Sequence, residues 1–177
     1  MALVNLDNID VKFKRVLLRV DINAPVVKDK VIDEPRFAAT AITIIELLKK
    51  KAKVIIVGHQ SSPGKPDFLP FKQHAKILQK HVKKPVKYCD DVFGEKAKLA
   101  IRGVGAGEAL LLENVRTNED ETKMDMPNNR YPEFFKQFDL YVNDAFSVCH
   151  REQGTISLPP KYLPSCMGRT LEIEINA

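Results

Sequence analysis

Short runs rich in Val, Ile and Leu alternate along this chain with longer stretches whose apolar residues recur every three or four positions. The short runs, at 15–20, 53–57, 85–88, 109–112 and 140–142, read as five strands. Helices are expected at 35–51, 71–82, 92–101 and 131–138, with a terminal one at 166–175 after the prolines at 159, 160 and 164. In the first, Phe37, Ala41, Ile44, Ile45 and Leu48 share a face; in the second, Ala75, Ile77, Leu78 and Val82 do. Strands that are apolar almost throughout are covered on both faces, and strands that alternate with helices pair in parallel. The pattern predicts one doubly wound, Rossmann-like α/β domain, a parallel sheet flanked by helices, with no internal repeat and no low-complexity linker.

Composition supports that reading. With 177 residues, 44% hydrophobic and 29% charged, the chain can bury a core without disulfide staples. Its apolar runs, such as Val54 to Val57, fall far short of the ~20 residues that cross a bilayer. The opening stretch MALVNLDNIDVKFKR lacks the apolar core of a signal peptide. Cys89, Cys149 and Cys166 stand far apart with no CxxC pair, which fits packed, reduced thiols in a cytoplasmic protein and gives no zinc knuckle. The 28 basic and 23 acidic residues leave a net +5, a bias towards anionic partners. Twenty of the cations are Lys in helix-like polar stretches, as expected of solvated faces. The eight Arg are the better candidates for recognising a carboxylate or phosphate, because their planar fork matches such groups.

Open α/β sheets bind ligands beyond the carboxyl ends of their strands. There the first strand is followed by Asp21, Asn23 and Pro25, and the second by Gly58, His59 and a Ser-Ser-Pro-Gly loop. The fourth runs into Glu113, Asn114 and Arg116, and the fifth into Asn143, Asp144, His150 and Arg151. Arg36 opens the first helix at the same edge, and Arg19 stands inside an otherwise apolar strand. An Asp, an Asn, a His and at least three Arg on one rim suit a small ligand with several negative charges, such as a sugar acid phosphate. Each residue also has a plainer explanation. Asp21 and Asn23 can cap the turn before Pro25, His59 can be a hydrogen-bonded strand end, and Arg116 can pair with Glu113 or Glu119.

Other signals carry less. GVGAG at 103–107 precedes a strand, whereas a dinucleotide fingerprint follows one and opens a helix. No GxxxxGK[ST] is present, and His74 and His81 lie seven apart without a companion acid. The acidic stretch 118–125 reads as a solvated loop. Nucleic-acid binding lacks an aromatic platform or helix-turn-helix signature, and the chain has no Trp.

Taken in order, RVLLRVDINAP, DEPRFAATAITIIELL, VIIVGHQSSPG, LLLENVRTNEDE and YVNDAFSVCHR resemble the motifs of phosphoglycerate kinase, in its N-terminal, 3-phosphoglycerate-binding domain, with wording closest to archaeal members. The resemblance covers essentially the whole chain, 1–177. It implies the acceptor half of an enzyme that moves phosphate between ATP and 3-phosphoglycerate in glycolysis. Mg-ATP or ADP would be bound by a C-terminal nucleotide domain absent here, with Ala177 near the helix that joins the two. Residue by residue it implies that Arg36 is catalytic, neutralising charge on the transferring phosphoryl group. Arg19, Asp21, Ile22, Asn23, Arg36, His59, Gln60, Ser61, Ser62, Arg116, His150 and Arg151 would line the substrate site.

This sequence departs from the family in its loop, where Ser61 and Ser62 replace a glycine and an arginine, and at Gln153, where many members have histidine. Losing one charge-assisted contact costs roughly 1.5–3 kcal/mol, or about ten- to hundredfold in affinity. A non-catalytic anion-binding or interaction domain derived from the same fold is thus a second expectation. Nucleic-acid binding through the lysine-rich helices is a third. For the first of these, the isolated chain is expected to bind 3-phosphoglycerate weakly and to transfer no phosphate. The segment holding Leu171, Ile173 and Ile175 is expected to expose apolar surface towards a partner domain.

Overall fold

A computed structural model describes residues 4–177; the first three residues of the stretch read above for a signal peptide lie outside it. In chain order the elements are β1 (Arg15–Val20), β2 (Val26–Val27), β3 (Lys30–Val31), α1 (Pro35–Lys49), β4 (Lys53–Val57), α2 (Lys72–Val82), β5 (Val86–Tyr88), α3 (Glu95–Arg102), β6 (Ala109–Leu111), α4 (Tyr131–Phe135), β7 (Leu140–Asp144), α5 (Gly154–Ser157), α6 (Pro159–Tyr162), β8 (Ser165–Met167) and α7 (Arg169–Asn176). Six strands form one sheet in the order β5-β6-β4-β1-β7-β8, and every pairing in it is parallel. The chain winds to one side of β1 first and reaches the other side through β7, so β1 is central.

Alternation along β1 shows why its run is apolar throughout. Val16, Leu18 and Val20 belong to a cluster with Phe37, Ile44 and Leu47 of α1 and Leu78 of α2. Leu17 belongs to the opposite cluster, with Ile101 of α3 and Phe134 and Phe135 of α4. Both faces are covered, as the sequence pattern requires. By the same alternation Arg19 faces the side of Leu17.

The predicted strands and helices are present, with shifted ends. Residues 166 and 167 are the main difference. Ser165–Met167 extends the sheet beside β7, pairing Val142 with Cys166, and the terminal helix starts only at Arg169. Ser165-Cys166-Met167 holds no Val, Ile or Leu to announce a strand; what makes it one is an open sheet edge beside β7. A two-residue hairpin, Val26 opposite Val31, was likewise not visible in the pattern. Leu171 is buried within this domain, at 5% exposure, while Ile173 and Ile175 are 61% and 42% exposed. The outward apolar segment is therefore shorter than the sequence suggests. No helix among the described residues is long and apolar enough to cross a membrane.

The acidic stretch differs more. Asp120 and Glu121 are buried. Asp120 accepts hydrogen bonds from the Arg130 backbone and guanidinium, and Arg130 in turn lies 4.3 Å over the Phe93 ring. Charge alone could not separate these two acids from their exposed neighbours.

Tyr131 is fully buried and packs directly against Gly154, leaving no room for a β-carbon beside its ring. Gly154→Ala is expected to destabilise the fold by about 1–3 kcal/mol through overpacking. Urea unfolding of the variant checks this, and an unchanged midpoint would contradict it.

Candidate functional site

The carboxyl ends of β1, β4, β6 and β7 meet on one rim, and the loops after them are tied together by side chains rather than by strand pairing. Gln60 does most of the tying. It accepts from the Ala24 N–H at 3.0 Å, donates to the Ala24 carbonyl at 2.9 Å and to the Asp67 carbonyl at 3.1 Å, and is met by His74 Nε2 at 3.0 Å. Asn114 bonds to both backbone groups of Gln60, so the loops after β1, β4 and β6 form one body. Glu113 extends it by accepting from the Phe71 N–H, at 2.8 Å, and from the Tyr88 hydroxyl.

On this frame stand the residues singled out above. Asp21 accepts from the Asn23 N–H, from Arg36 Nη1 and, at 2.7 Å, from the Ser147 hydroxyl after β7. The plainer expectation for Asp21, a local turn, is met, yet the same carboxylate also reaches two other elements. Asn23 accepts the Ser61 N–H with its Oδ1 at 2.9 Å, which identifies its Nδ2 as the end free to donate. Arg36 is held by Asp21 and Glu34, and its side chain remains 38% exposed. Asp21 and Arg36 line a cleft with Thr40, Asp144, Phe146, Ser147 and Thr170.

A second cleft is lined by Ser62, Pro63, Arg116, Thr117, Asn118, Glu119, Thr122, Arg151 and Gln153. Arg116 pairs with neither Glu113 nor Glu119; its Nη1 donates to the Ser61 carbonyl and, at 3.0 Å, to Ser62 Oγ. Burial and the charges of Arg151 and Arg19 press its ionisation downward. Its Nε and the Gln153 Oε1 are both buried without a partner. Buried polar atoms are rarely left so, and here they flank a cleft that holds two guanidinium groups. His150 is exposed on the adjoining loop and lines neither cleft.

Ser61 shows how this chain manages without the expected glycine. Its φ is +54°, a left-handed conformation that side chains resist. Its hydroxyl donates to Asp67 at 2.5 Å and its N–H to Asn23, and these bonds hold the turn.

Three expected site residues have side chains turned inward. Ile22 is packed in the core, Gln60 is fully buried in its loop-tying role, and Arg19 is fully buried with its donors occupied by Thr155, the Val20 carbonyl and His59. His59, 3% exposed, is pushed down to about 2 by burial and by Arg19, Arg116, Arg151 and Arg36, so its ring is neutral at ordinary pH. Sequence reasoning missed Glu121, Tyr131, Thr155 and Ser147. Glu121 and Ser147 lie in the quoted motifs LLLENVRTNEDE and YVNDAFSVCHR, where nothing marks them out from their neighbours, and only the packing behind the rim brings all four together.

His74 is likewise pushed down, to about 4, by burial. In the unfolded chain both imidazoles take up a proton below about pH 6.5, which the folded chain refuses until far lower pH. Their stabilisation is therefore present above about 6.5 and lost on acidification. Asp144, pushed up to about 6 mainly by burial, and Glu121, also pushed up by burial, protonate first in the folded state and work the opposite way. The histidine share is read by comparison: on going from pH 6 to pH 4.5, His74→Asn is expected to lose less stability towards urea than the wild type, because the unfolded variant takes up one proton fewer. Equal losses in the two proteins would contradict it.

Comparison with known proteins agrees with this geometry. The family model for phosphoglycerate kinase matches residues 6–177. The phosphoglycerate kinase of Sulfurisphaera tokodaii is 40% identical over 179 residues, covering 97% of this chain and 43% of that protein. That of Saccharolobus solfataricus is 38% identical, covering 100% and 45%. The crystal structure of phosphoglycerate kinase from Pyrococcus horikoshii OT3 superposes with a TM-score of 0.91 at 33% identity, over 98% of this chain and 44% of that one. The chain thus spans a little under half the length of these relatives. With the sheet and its rim loops on the page, sequence and structure meet in one conclusion: the chain belongs to the phosphoglycerate kinase family.

Proposed function

We propose that this chain is the acceptor-substrate half of a phosphoglycerate kinase and that its rim binds 3-phosphoglycerate. The observation that carries this is the cleft between Arg116 and Arg151, where Arg116 Nε is buried without a partner. Two guanidinium charges beside a buried, unsatisfied N–H call for an anion, and a phosphate or carboxylate supplies oxygens for both. Asp21, an acceptor when ionised, suits a substrate hydroxyl, and the free Asn23 Nδ2 suits a carboxylate oxygen. Arg36, exposed at the same rim, is the group to meet charge on a phosphoryl group in transfer.

The residues present do not fit Mg-ATP. Among the described residues no group of three or more His, Cys, Asp or Glu stands so as to hold a metal ion. The glycines of GVGAG precede β6 instead of opening a helix after a strand. We therefore place nucleotide binding outside these 177 residues and derive no step through it. A cytoplasmic setting goes with this reading, as the enzyme's substrates are metabolites.

Ser62 favours a second reading, an anion-binding domain without the enzyme's affinity. It gives Arg116 a neutral hydroxyl where the family has a second guanidinium. The two readings part in one experiment. NMR amide shifts are followed as the chain is titrated with 3-phosphoglycerate, then with sulfate at equal ionic strength. Saturable shifts near Asp21, Arg36, Arg116 and Arg151 that exceed those from sulfate are expected, and Ser61→Gly with Ser62→Arg is expected to tighten binding about tenfold or more. No preference over sulfate, and no gain from the double variant, would reject the acceptor reading. The chain alone is expected to transfer no phosphate. A coupled assay with ATP showing turnover above the buffer blank would overturn that.

A further inference from the structure

Behind the rim runs a buried polar chain in which donor chemistry fixes the direction of the links that start at Arg19. Arginine has only donors, so the 3.0 Å contact between Arg19 Nη2 and His59 Nδ1 places a lone pair on Nδ1. A neutral imidazole with its lone pair there carries its proton on Nε2. One step back, Arg19 Nε donates to Thr155 Oγ1 at 2.9 Å. That hydroxyl sends its own proton to Glu121 Oε1 at 2.7 Å. Glu121 Oε2 accepts from the Thr155 N–H at 3.0 Å and the Tyr131 hydroxyl at 2.6 Å.

Glu121 is 0% exposed, and both of its oxygens are occupied from inside the domain. It touches no solvent and no cleft. Burial pushes its ionisation up, while Arg19, Tyr131 and Thr155 pull it down; it is the acidic group that the fully buried Arg19 meets, through a single intervening hydroxyl. His59 is faced by Arg19 of β1, Arg36 of α1, Arg116 after β6 and Arg151 before α5. Four cations around an imidazole leave its Nε2–H as a neutral donor among charged ones.

We propose that Glu121 is a positioning residue of the anion site: through Thr155 it orients the Arg19 guanidinium, which locks His59 in the Nε2–H tautomer as a neutral donor. Arg19 on this account acts from behind the site, without touching the ligand. What His59 donates to rests on the acceptor reading above; the tautomer and its cause do not.

The test is NMR of the histidine ring nitrogens in the full chain, with the His59 signals assigned by their loss in His59→Asn. Thr155→Val cuts the hydroxyl link at nearly constant volume, and Thr155→Ser restores it. The wild type and Thr155→Ser are expected to show a neutral Nε2–H ring at His59 from pH 8 to 5. Thr155→Val is expected to show mixed tautomers or a ring that titrates in that range, with affinity for sulfate and 3-phosphoglycerate weakened about three- to tenfold. A wild-type His59 that is an imidazolium at pH 6, or carries its proton on Nδ1, overturns the proposal without any variant needing to fold. So does a Thr155→Val ring identical to the wild type. If the tautomer responds as expected while 3-phosphoglycerate binds no better than sulfate, the positioning role stands and the acceptor reading fails.

Discussion

A guanidinium group withdrawn from water must be met by acceptors on every side, and Arg19 sits in the middle of a parallel sheet with no exposure at all. Its acceptors come from its own strand, from His59 after β4, from Thr155 of α5 and, through that hydroxyl, from Glu121 after β6. Segments more than a hundred residues apart are thereby required to meet at one point. The close packing of Gly154 on Tyr131 places Thr155 there, and the Tyr131 hydroxyl completes the carboxylate's shell. The rim of the site is the outer surface of this arrangement.

A layered division of work results. The innermost layer, Glu121, Thr155 and Arg19, balances charge in a dry interior. A middle layer of Gln60, Asn114 and Glu113 ties loop backbones to one another and offers little to a ligand. The outer layer, Asp21, Arg36, Arg116 and Arg151, keeps donors and charge available at the two clefts. Residues of all three layers occur in one motif, LLLENVRTNEDE, with Glu113 and Asn114, Arg116 and Glu121, because one loop must both fasten itself and face outward.

The loop after β4 shows how far such a site can drift while its frame holds. Serine at 61 occupies a left-handed turn and is retained there by its bonds with Asp67 and Asn23. Serine at 62 fills a position beside Arg116 with a hydroxyl. Neither side chain belongs to a core cluster, so the sheet and its covering helices do not depend on them. The charge of the cleft does.

The amino-acid sequence by itself determined the fold class, because five continuous apolar runs between amphipathic helices admit little besides a parallel sheet covered on both faces. It also determined that Asp21, Asn23, Arg36, Arg116 and Arg151 share one edge, since each follows a strand or opens a helix there. Strand β8 and the hairpin were beyond it, because pieces of two or three residues take their form from the neighbour they pair with. Tertiary structure alone decided which polar residues face outward. Arg19 and Gln60 stand in motifs beside outward-facing residues and are buried, bonded to groups of the domain itself, while Glu121 looks like a solvated acid and is fully buried, bonded to Thr155 and Tyr131. The physical reason is that burial is a property of the assembled chain: a charged side chain reads the same in sequence whether water or another side chain answers it.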